Sequence, residues 1–276
     1  MDENFREALL PSNLDELWTM WNRFPEARPV GGSSNIVSNY GYGDSLSYPD
    51  SIISLASIQE LQGITRSERY IDIGAMTNLN QILALGKAIP EILLLSLNNI
   101  ASPQLRNIAT IGGNINSTNP KGILPGTIAA LSSLDALLEF HSPKTSRWIS
   151  VSRFAASDFR LDATKLLSKV RIPIAQWNYA SYKRFDLSYY PEIIVMTGII
   201  TKTSIAKIKI VYSGTELLQS KAAESIIEGK NLPLETRTIK HFIDEWKENF
   251  ENANFIRPLI KSQILSFLET ELNKLT

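Results

Sequence analysis

The chain has 276 residues, enough for one large domain or two smaller ones with a substantial core. Its 28 basic side chains balance 28 acidic ones and no long basic stretch occurs, which argues against nucleic acid or an anionic membrane as a partner. It has no cysteine and only two histidines, His141 and His241, which excludes disulfides, thiolate-bound zinc and any cysteine-held iron–sulfur cluster on this chain.

The N-terminus, Met1-Asp2-Glu3-Asn4, is acidic and lacks the apolar stretch of a signal peptide. No apolar run reaches membrane-spanning length. A soluble, cytoplasmic protein is expected.

In chain order, Ser12 reads as the N-cap of a helix whose apolar face is Leu14, Leu17, Trp18 and Trp21, at i, i+3, i+4 and i+7. Pro25 ends it, and 27–30 reads as a short strand. Strands are expected at 52–55 and 70–75, the second alternating apolar with small or polar residues. Thr77-Asn78 caps a helix carrying Leu79, Ile82, Leu83 and Leu85, and Pro90 opens another over 91–98. After Pro125 a buried helix uses Ile128, Ala129, Leu131 and Leu134; strands follow at 136–140 and 166–172, the latter stopped by Pro173. Beyond that point come strands at 179–185, 193–201 and 205–212, then helices near 221–227, 241–249 and 258–275. Strands followed by helices predict an α+β unit, with a helical layer on an antiparallel sheet and a boundary near residue 175.

Two glycine pairs stand out. Val30-Gly31-Gly32-Ser33-Ser34-Asn35-Ile36 follows a short strand, and Ala109-Thr110-Ile111-Gly112-Gly113-Asn114-Ile115-Asn116 lies among β-prone and small polar residues. Glycine lets a backbone turn tightly and present its N–H groups to an anion at close range. Alone, either pair is ordinary turn material. Together they read as two loops on one elongated, diphosphate-bearing cofactor, held by backbone N–H dipoles because neither loop contains Lys or Arg. Spacing excludes the Gly-x-Gly-x-x-Gly dinucleotide fingerprint and the Gly-x4-Gly-Lys-Ser/Thr phosphate loop. Gly41-Tyr42-Gly43-Asp44 reads as a surface turn.

The stretch Ala101-Ser102-Pro103-Gln104-Leu105-Arg106-Asn107-Ile108-Ala109-Thr110-Ile111-Gly112-Gly113-Asn114-Ile115 resembles the flavin-binding motif of the molybdenum hydroxylase FAD subunits, the medium chains of carbon monoxide dehydrogenase and bacterial xanthine dehydrogenase. Val30-Gly31-Gly32-Ser33-Ser34 resembles that family's first FAD loop, and Ile73-Gly74-Ala75-Met76-Thr77-Asn78-Leu79 its middle strand–helix junction. The blocks Leu166-Leu167-Ser168-Lys169-Val170-Arg171-Ile172-Pro173 and Tyr182-Lys183-Arg184 follow in the family's order, so the likeness spans residues 5–230.

The resemblance implies a mixed α+β fold: a two-subdomain FAD-binding domain over 1–174, then a smaller α+β domain of antiparallel strands with helices over 175–276. It implies FAD contacts from Val30, Gly31, Gly32, Ser33, Ser34, Asn35 and Ile36, from Thr110, Ile111, Gly112, Gly113 and Asn114, and from Thr118. It adds Leu167 and Lys183 at the flavin end and Ile100 beside the isoalloxazine. It further implies an oxidoreductase subunit that takes electrons from the clusters of a 2Fe-2S ferredoxin-like small subunit, beside a molybdopterin-binding large subunit, and passes them through FAD to NAD or another acceptor. No side chain of this chain is expected to act as a catalytic acid or base, and no metal is expected.

One departure stands beside the likeness. Where the family reads Ser-Pro-x-Gly-Asp, this chain has Asn119-Pro120-Lys121-Gly122-Ile123, without the carboxylate. A non-catalytic assembly subunit that has lost FAD therefore remains open, as does a stand-alone flavin reductase. Without the family likeness, Lys183 reads as a solvent-facing strand residue and Arg106 as a loop anchor.

Overall fold

The structure is a computed structural model of the chain that describes residues 7–34, 51–117, 122–155, 165–185, 191–251 and 253–275. Strand β1 (Glu7–Leu9) leads into helix α1 (Leu14–Arg23), followed by β2 (Arg28–Val30) and β3 (Ser51–Ser54). These strands form a parallel sheet in the order β1-β3-β2. Leu17, Trp18 and Trp21 of α1 are buried beside Ile53, Leu55, Ile58 and Leu61 in one small core. The helix cap falls on Asn13 rather than Ser12, because the Asn13 side chain accepts the Glu16 N–H at 2.9 Å. Ser12 instead donates its own N–H and hydroxyl to the Glu16 carboxylate.

The next segment holds β4 (Ile64–Arg66), β5 (Tyr70–Gly74), α2 (Leu79–Leu83), α3 (Glu91–Asn98), α4 (Pro103–Arg106), α5 (Ile111–Ile115), α6 (Gly126–Ser133), β6 (Leu137–His141), β7 (Ser146–Ser150), α7 (Val151–Ala155) and β8 (Leu166–Pro173). Its strands pair as an antiparallel sheet in the order β4-β5-β8-β6-β7. One face, with Ile71, Ile73, Leu138, Phe140, Val170 and Ile172, packs into the largest core along with the apolar residues of α2, α3, α5 and α6. Across β5 and β8, Asp72 stands opposite Arg171 and accepts two hydrogen bonds of 2.7 Å each from its guanidinium. That guanidinium also lies over the rings of Tyr70 and Trp148, which fixes the register from the outer face. Pro173 does not end β8 early. It is the last residue of the strand, opposite Tyr70, where a missing N–H can be tolerated.

From Tyr179 the chain builds a second antiparallel sheet, ordered β12-β11-β10-β9, from β9 (Tyr179–Arg184), β10 (Ile193–Ile200), β11 (Ile205–Ser213) and β12 (Leu217–Leu218). Its two faces serve two cores. Ile193, Val195 and Val211 join the core of the preceding segment, against α6 and α3. Ile194, Met196, Ile208, Ile210 and Tyr212 pack with α8 (Lys221–Ile227), α9 (Thr236–Glu251) and α10 (Pro258–Asn273). No described helix is long and apolar enough to cross a membrane.

Strand β12 covers only Tyr212 and Ser213 of the outer edge of β11. Helix α8 covers more of it with two carboxylates one turn apart. Glu224 accepts the Ile210 N–H at 2.7 Å and Glu228 the Ile208 N–H at 3.0 Å, so alternate edge amides are satisfied by side chains instead of a strand. Burial pushes the Glu224 carboxyl up to about 7, against the opposing pull of its bonds to Ile210 and Gln219. A raised folded-state value means stability fully present below about 4.5 is lost as pH rises through about 7. We therefore expect urea unfolding to show a loss on the order of 1–3 kcal/mol between pH 5 and pH 8. Glu224→Gln should flatten that part of the profile; a pH dependence unchanged by the substitution would contradict the assignment.

Candidate functional site: a junction of two glycine turns

The first glycine pair seats on the segment that leads into the second. A Cβ on Gly32 would stand 1.6 Å from the Ile108 carbonyl oxygen, and one on Gly31 would stand 2.9 Å from the Thr110 hydroxyl and 3.2 Å from the Met76 sulfur. Backbone therefore rests directly on backbone, a separation that no residue with a side chain can reach. Strand β2 delivers this turn: Val30 is buried at its end, and its carbonyl accepts the Leu55 N–H at 3.0 Å. Ser33 then takes φ +57°, in the left-handed region. No described residue accepts a hydrogen bond from the N–H groups of Gly31, Gly32 or Ser33.

The second glycine pair is not a loop. It forms the first turn of the short helix α5, capped by Thr110. This corrects how its amides are used. The Ile111 N–H goes to the Thr77 carbonyl (3.0 Å), Gly112 to Ala75 (2.9 Å), Gly113 to the Thr110 hydroxyl (3.1 Å) and Asn114 to the Thr110 carbonyl (2.9 Å). The expectation that these N–H groups hold an anion gives way to one in which they hold the turn itself.

The two glycines of α5 have different jobs. Gly112 is buried, and a Cβ there would meet the Ala75 Cβ and carbonyl oxygen at 2.8 Å each. Gly113 is exposed, and a Cβ there would meet only the Thr110 hydroxyl, at 3.0 Å, with open space beyond. Asn114 is half-buried and accepts a hydrogen bond from the Thr127 hydroxyl at the start of α6. Among the described residues named here no side chain is charged: the junction is made of hydroxyls, amides, apolar side chains and bare backbone.

The remaining expected positions scatter around this junction. Ile100 packs half-buried on the main core at the end of α3. Leu167 is buried in that core opposite Phe140 on β6, and only its neighbour reaches toward the cleft, through the Ser168 carbonyl that accepts the Ala75 N–H at 2.8 Å. Lys183 is not brought to the junction by its side chain. It pairs with Ile194, whose side chain belongs to the C-terminal core, so it stands exposed on the α9–α10 side of β9. Its neighbour Tyr182 pairs with Val195 and faces the other way, with its hydroxyl 3.7 Å from where a Gly126 Cβ would lie. Burial pushes the Tyr182 phenol up to about 12. Asn35, Ile36, Thr118 and the turn Gly41-Tyr42-Gly43-Asp44 lie outside the described residues.

Reading the sequence alone misses Met76, Ile108 and Thr127 as parts of the junction, since two are ordinary apolar residues and the third begins a buried helix. The signal for Ile108 was its place directly before a glycine motif that itself needs a tight neighbour.

Residues 3–175 match the family model described as the FAD binding domain in molybdopterin dehydrogenase. The chain is 26% identical over 247 residues to the nicotinate dehydrogenase FAD-subunit of Eubacterium barkeri, covering 83% of this chain and 82% of that relative. It is 25% identical over 220 residues to the glyceraldehyde dehydrogenase medium chain of Sulfolobus acidocaldarius, covering 78% and 73%. Among solved structures, a chain of the carbon monoxide dehydrogenase from Hydrogenophaga pseudoflava that lacks the Mo-pyranopterin moiety of its cofactor superposes with a TM-score of 0.78 at 19% identity, covering 98% of this chain and 95% of that one. A chain of quinoline 2-oxidoreductase from Pseudomonas putida 86 gives 0.78 at 18%, with the same coverage. These two likenesses are evidence of a shared fold.

The glycine geometry separates folding from cleft occupancy. Gly32→Ala should lower stability by about 2 kcal/mol or more, because its methyl group must displace backbone. Gly113→Ala should stay within about 1 kcal/mol of the parent, since better helix propensity offsets one tight hydroxyl contact. Thermal or urea unfolding of the two variants checks this; equal losses in both would contradict the geometry.

Proposed function

The chain belongs to the family of FAD-binding domains of the molybdopterin dehydrogenases, and from that premise we propose that it serves as the electron-relaying flavin subunit of a xanthine dehydrogenase-like molybdenum hydroxylase. Its relatives are dehydrogenase FAD subunits, and it is an FAD-dependent oxidoreductase component. The proposal adds the route. Electrons arrive from the iron–sulfur clusters of a 2Fe-2S ferredoxin-like small subunit, reach FAD on this chain, and leave to NAD or another acceptor, with a molybdopterin-binding large subunit oxidising the substrate. We also propose a cytoplasmic complex, and a division into an FAD-binding domain over 1–174 and a C-terminal domain over 175–276.

The observation that carries the reading is the close seat of residues 31–32 on residues 108–110, with the open face of Gly113 beside it. Such a junction suits a diphosphate, because the first turn, whose N–H groups have no acceptor among the described residues, lies against the Thr110 cap of the second. When bound, flavin supplies both one-electron and two-electron chemistry, which suits a relay between clusters and a hydride acceptor. The residues of this chain need supply only binding, orientation and shielding. Val30 and Thr110 fix the two turns, Arg106 and Asn80 fix the helix between them and the core, and Thr127 steadies Asn114. The lack of cysteine on this chain supports a separate, cluster-bearing partner.

A second reading, an assembly subunit without flavin, has one observation in its favour: Ile123 occupies the position where the resembled family carries an aspartate. Loss of one hydrogen-bonding carboxylate removes about 1–3 kcal/mol, which a cofactor with many contacts survives. Purified protein should therefore show oxidised-flavin absorbance, release about one FAD per chain on denaturation, and rebind it. Colourless protein that refuses added FAD would decide for the assembly reading.

Gly113→Val should abolish FAD binding in a folded protein, because its branched side chain fills the open face of the turn; full flavin retention would contradict the site. FAD affinity should also change little, about threefold or less, between low and moderate ionic strength, since neutral dipoles are not screened as ion pairs are. Fluorescence titration at two salt concentrations measures this, and a steep fall with salt would place a cation at the cofactor.

A further inference from the structure

Arg106 is buried, yet its recorded hydrogen bonds all go to uncharged acceptors and no described carboxylate pairs with it. A guanidinium removed from water is tolerated only when its N–H groups find acceptors. Its Nη1 lies 3.1 Å from the Asn98 carbonyl oxygen, 3.0 Å from that of Ile100 and 3.1 Å from that of Ala101, and its Nε donates to Asn80 Oδ1 at 3.3 Å. The Asn98 and Ile100 carbonyls close the C-terminal end of α3, the negative pole of that helix. Ala101 follows at φ +50°, a left-handed conformation that a residue with a Cβ keeps only under constraint.

Asn80 extends the lock. Its amide nitrogen donates to the Pro103 carbonyl at 2.9 Å and to Asn107 Oδ1 at 2.6 Å. Helix α4 is thereby tied to α2 on one side and to the end of α3 on the other. Two residues after Arg106 comes the Ile108 carbonyl on which Gly32 seats. The next residue, Ala109, donates its N–H to the Leu105 carbonyl at 2.8 Å and accepts that of Leu79 at 3.0 Å.

We propose that Arg106 is a positioning residue for the cofactor cleft: by clamping α4 onto the end of α3 it sets the height of residues 105–110, the platform on which the first glycine turn rests. The inference rests on the flavin reading given above and deepens it. Arg106 does not touch the cofactor. Its Nη1 is turned into the protein, toward the turn at 98–101, and its Nε toward Asn80. Its effect on binding passes through the Ile108 carbonyl and the Thr110 cap.

The experiment compares the parent, Arg106→Met, Arg106→Lys and Asn80→Ala. Four quantities are read: the FAD dissociation constant by fluorescence titration of apoprotein, the visible circular dichroism of bound flavin, the thermal midpoint without FAD, and amide exchange across 105–113. Arg106→Met should keep the parental far-ultraviolet spectrum, exchange faster at Ala109 and Gly113, weaken FAD by about tenfold or more, and alter the flavin dichroism. Arg106→Lys should recover part of the affinity. Asn80→Ala, which leaves the carbonyl clamp in place, should weaken FAD by roughly threefold, and it carries the test if Arg106→Met does not fold. A lower thermal midpoint with parental FAD affinity and parental dichroism would overturn the proposal. If the parent itself binds no FAD, the flavin reading alone falls, and the exchange data still decide. Parental exchange across 105–113 in the variants would then overturn the positioning role.

Discussion

The site depends on backbone lying against backbone. Three glycines make this possible in succession: a Cβ on Gly74 would stand 2.4 Å from the Leu61 carbonyl oxygen, one on Gly112 would stand 2.8 Å from that of Ala75, and one on Gly32 would stand 1.6 Å from that of Ile108. The three contacts lie close together. Gly74 ends β5, Ala75 just after it carries α5, and the segment just before α5 carries the first glycine turn. Such contacts bury polar surface, and a buried amide needs an acceptor. At the first two contacts the amides have one: Gly74 donates to Gly63, Ala75 to Ser168, Met76 to Leu61, and Gly112 to Ala75. Close approach and hydrogen bonding are two aspects of one arrangement, because an added side chain would lengthen each of these bonds.

This arrangement bears on the kind of anion site proposed above. In a phosphate loop with a lysine, attraction is long-ranged and salt-sensitive. Here the amides of α5 serve as internal fasteners, and among the described residues those of Gly31, Gly32 and Ser33 find no acceptor. Cofactor and first turn would complete one another, and the binding strength would depend on how accurately the fastened half is held. On the positioning role proposed above, that requirement accounts for a buried arginine, with its desolvation cost, at the end of a helix of only four residues.

Much of this could be read from the residues, and the exceptions have physical causes. Helices with a strong apolar stripe, such as Leu17, Trp18 and Trp21 in α1, declare themselves through period. The 91–98 and 221–227 helices fell where caps and prolines put them. The second glycine pair reads as a loop because glycine disfavours helix by about 1 kcal/mol per residue. It becomes a helical turn because Ile111 and Ile115 are drawn into the core and Thr110 caps the start. Strand β7 escapes notice because it is an edge strand with one buried side chain, Ile149. The early part of α9 escapes because Thr236, Arg237 and Thr238 carry no apolar period, and its stripe starts at Ile239. The side on which Lys183 emerges cannot be known from β9 alone. Alternation gives two sides, and only the pairing with β10 says which one belongs to which core.

That same alternation joins the C-terminal half of the chain to the cleft. Helix α6 lies on the face of β10 and β11 that carries Ile193, Val195 and Val211, and the Ser133 hydroxyl on α6 is 2.9 Å from that of Thr197 on β10, both buried. At its other end α6 begins with Gly126, which lets the Ile193 side chain approach, and then Thr127, which holds Asn114. The C-terminal sheet therefore sets the position of α6, α6 sets Asn114, and Asn114 borders the open face of Gly113. A chain ending at residue 175 would retain both glycine turns and still leave the inner face of α6 exposed to water, with Ile128, Ala129 and Leu131 losing part of their cover. The family match ends at that residue, but the mechanical support of the site continues past it, through one shared face of a sheet whose other face belongs to helices α8, α9 and α10.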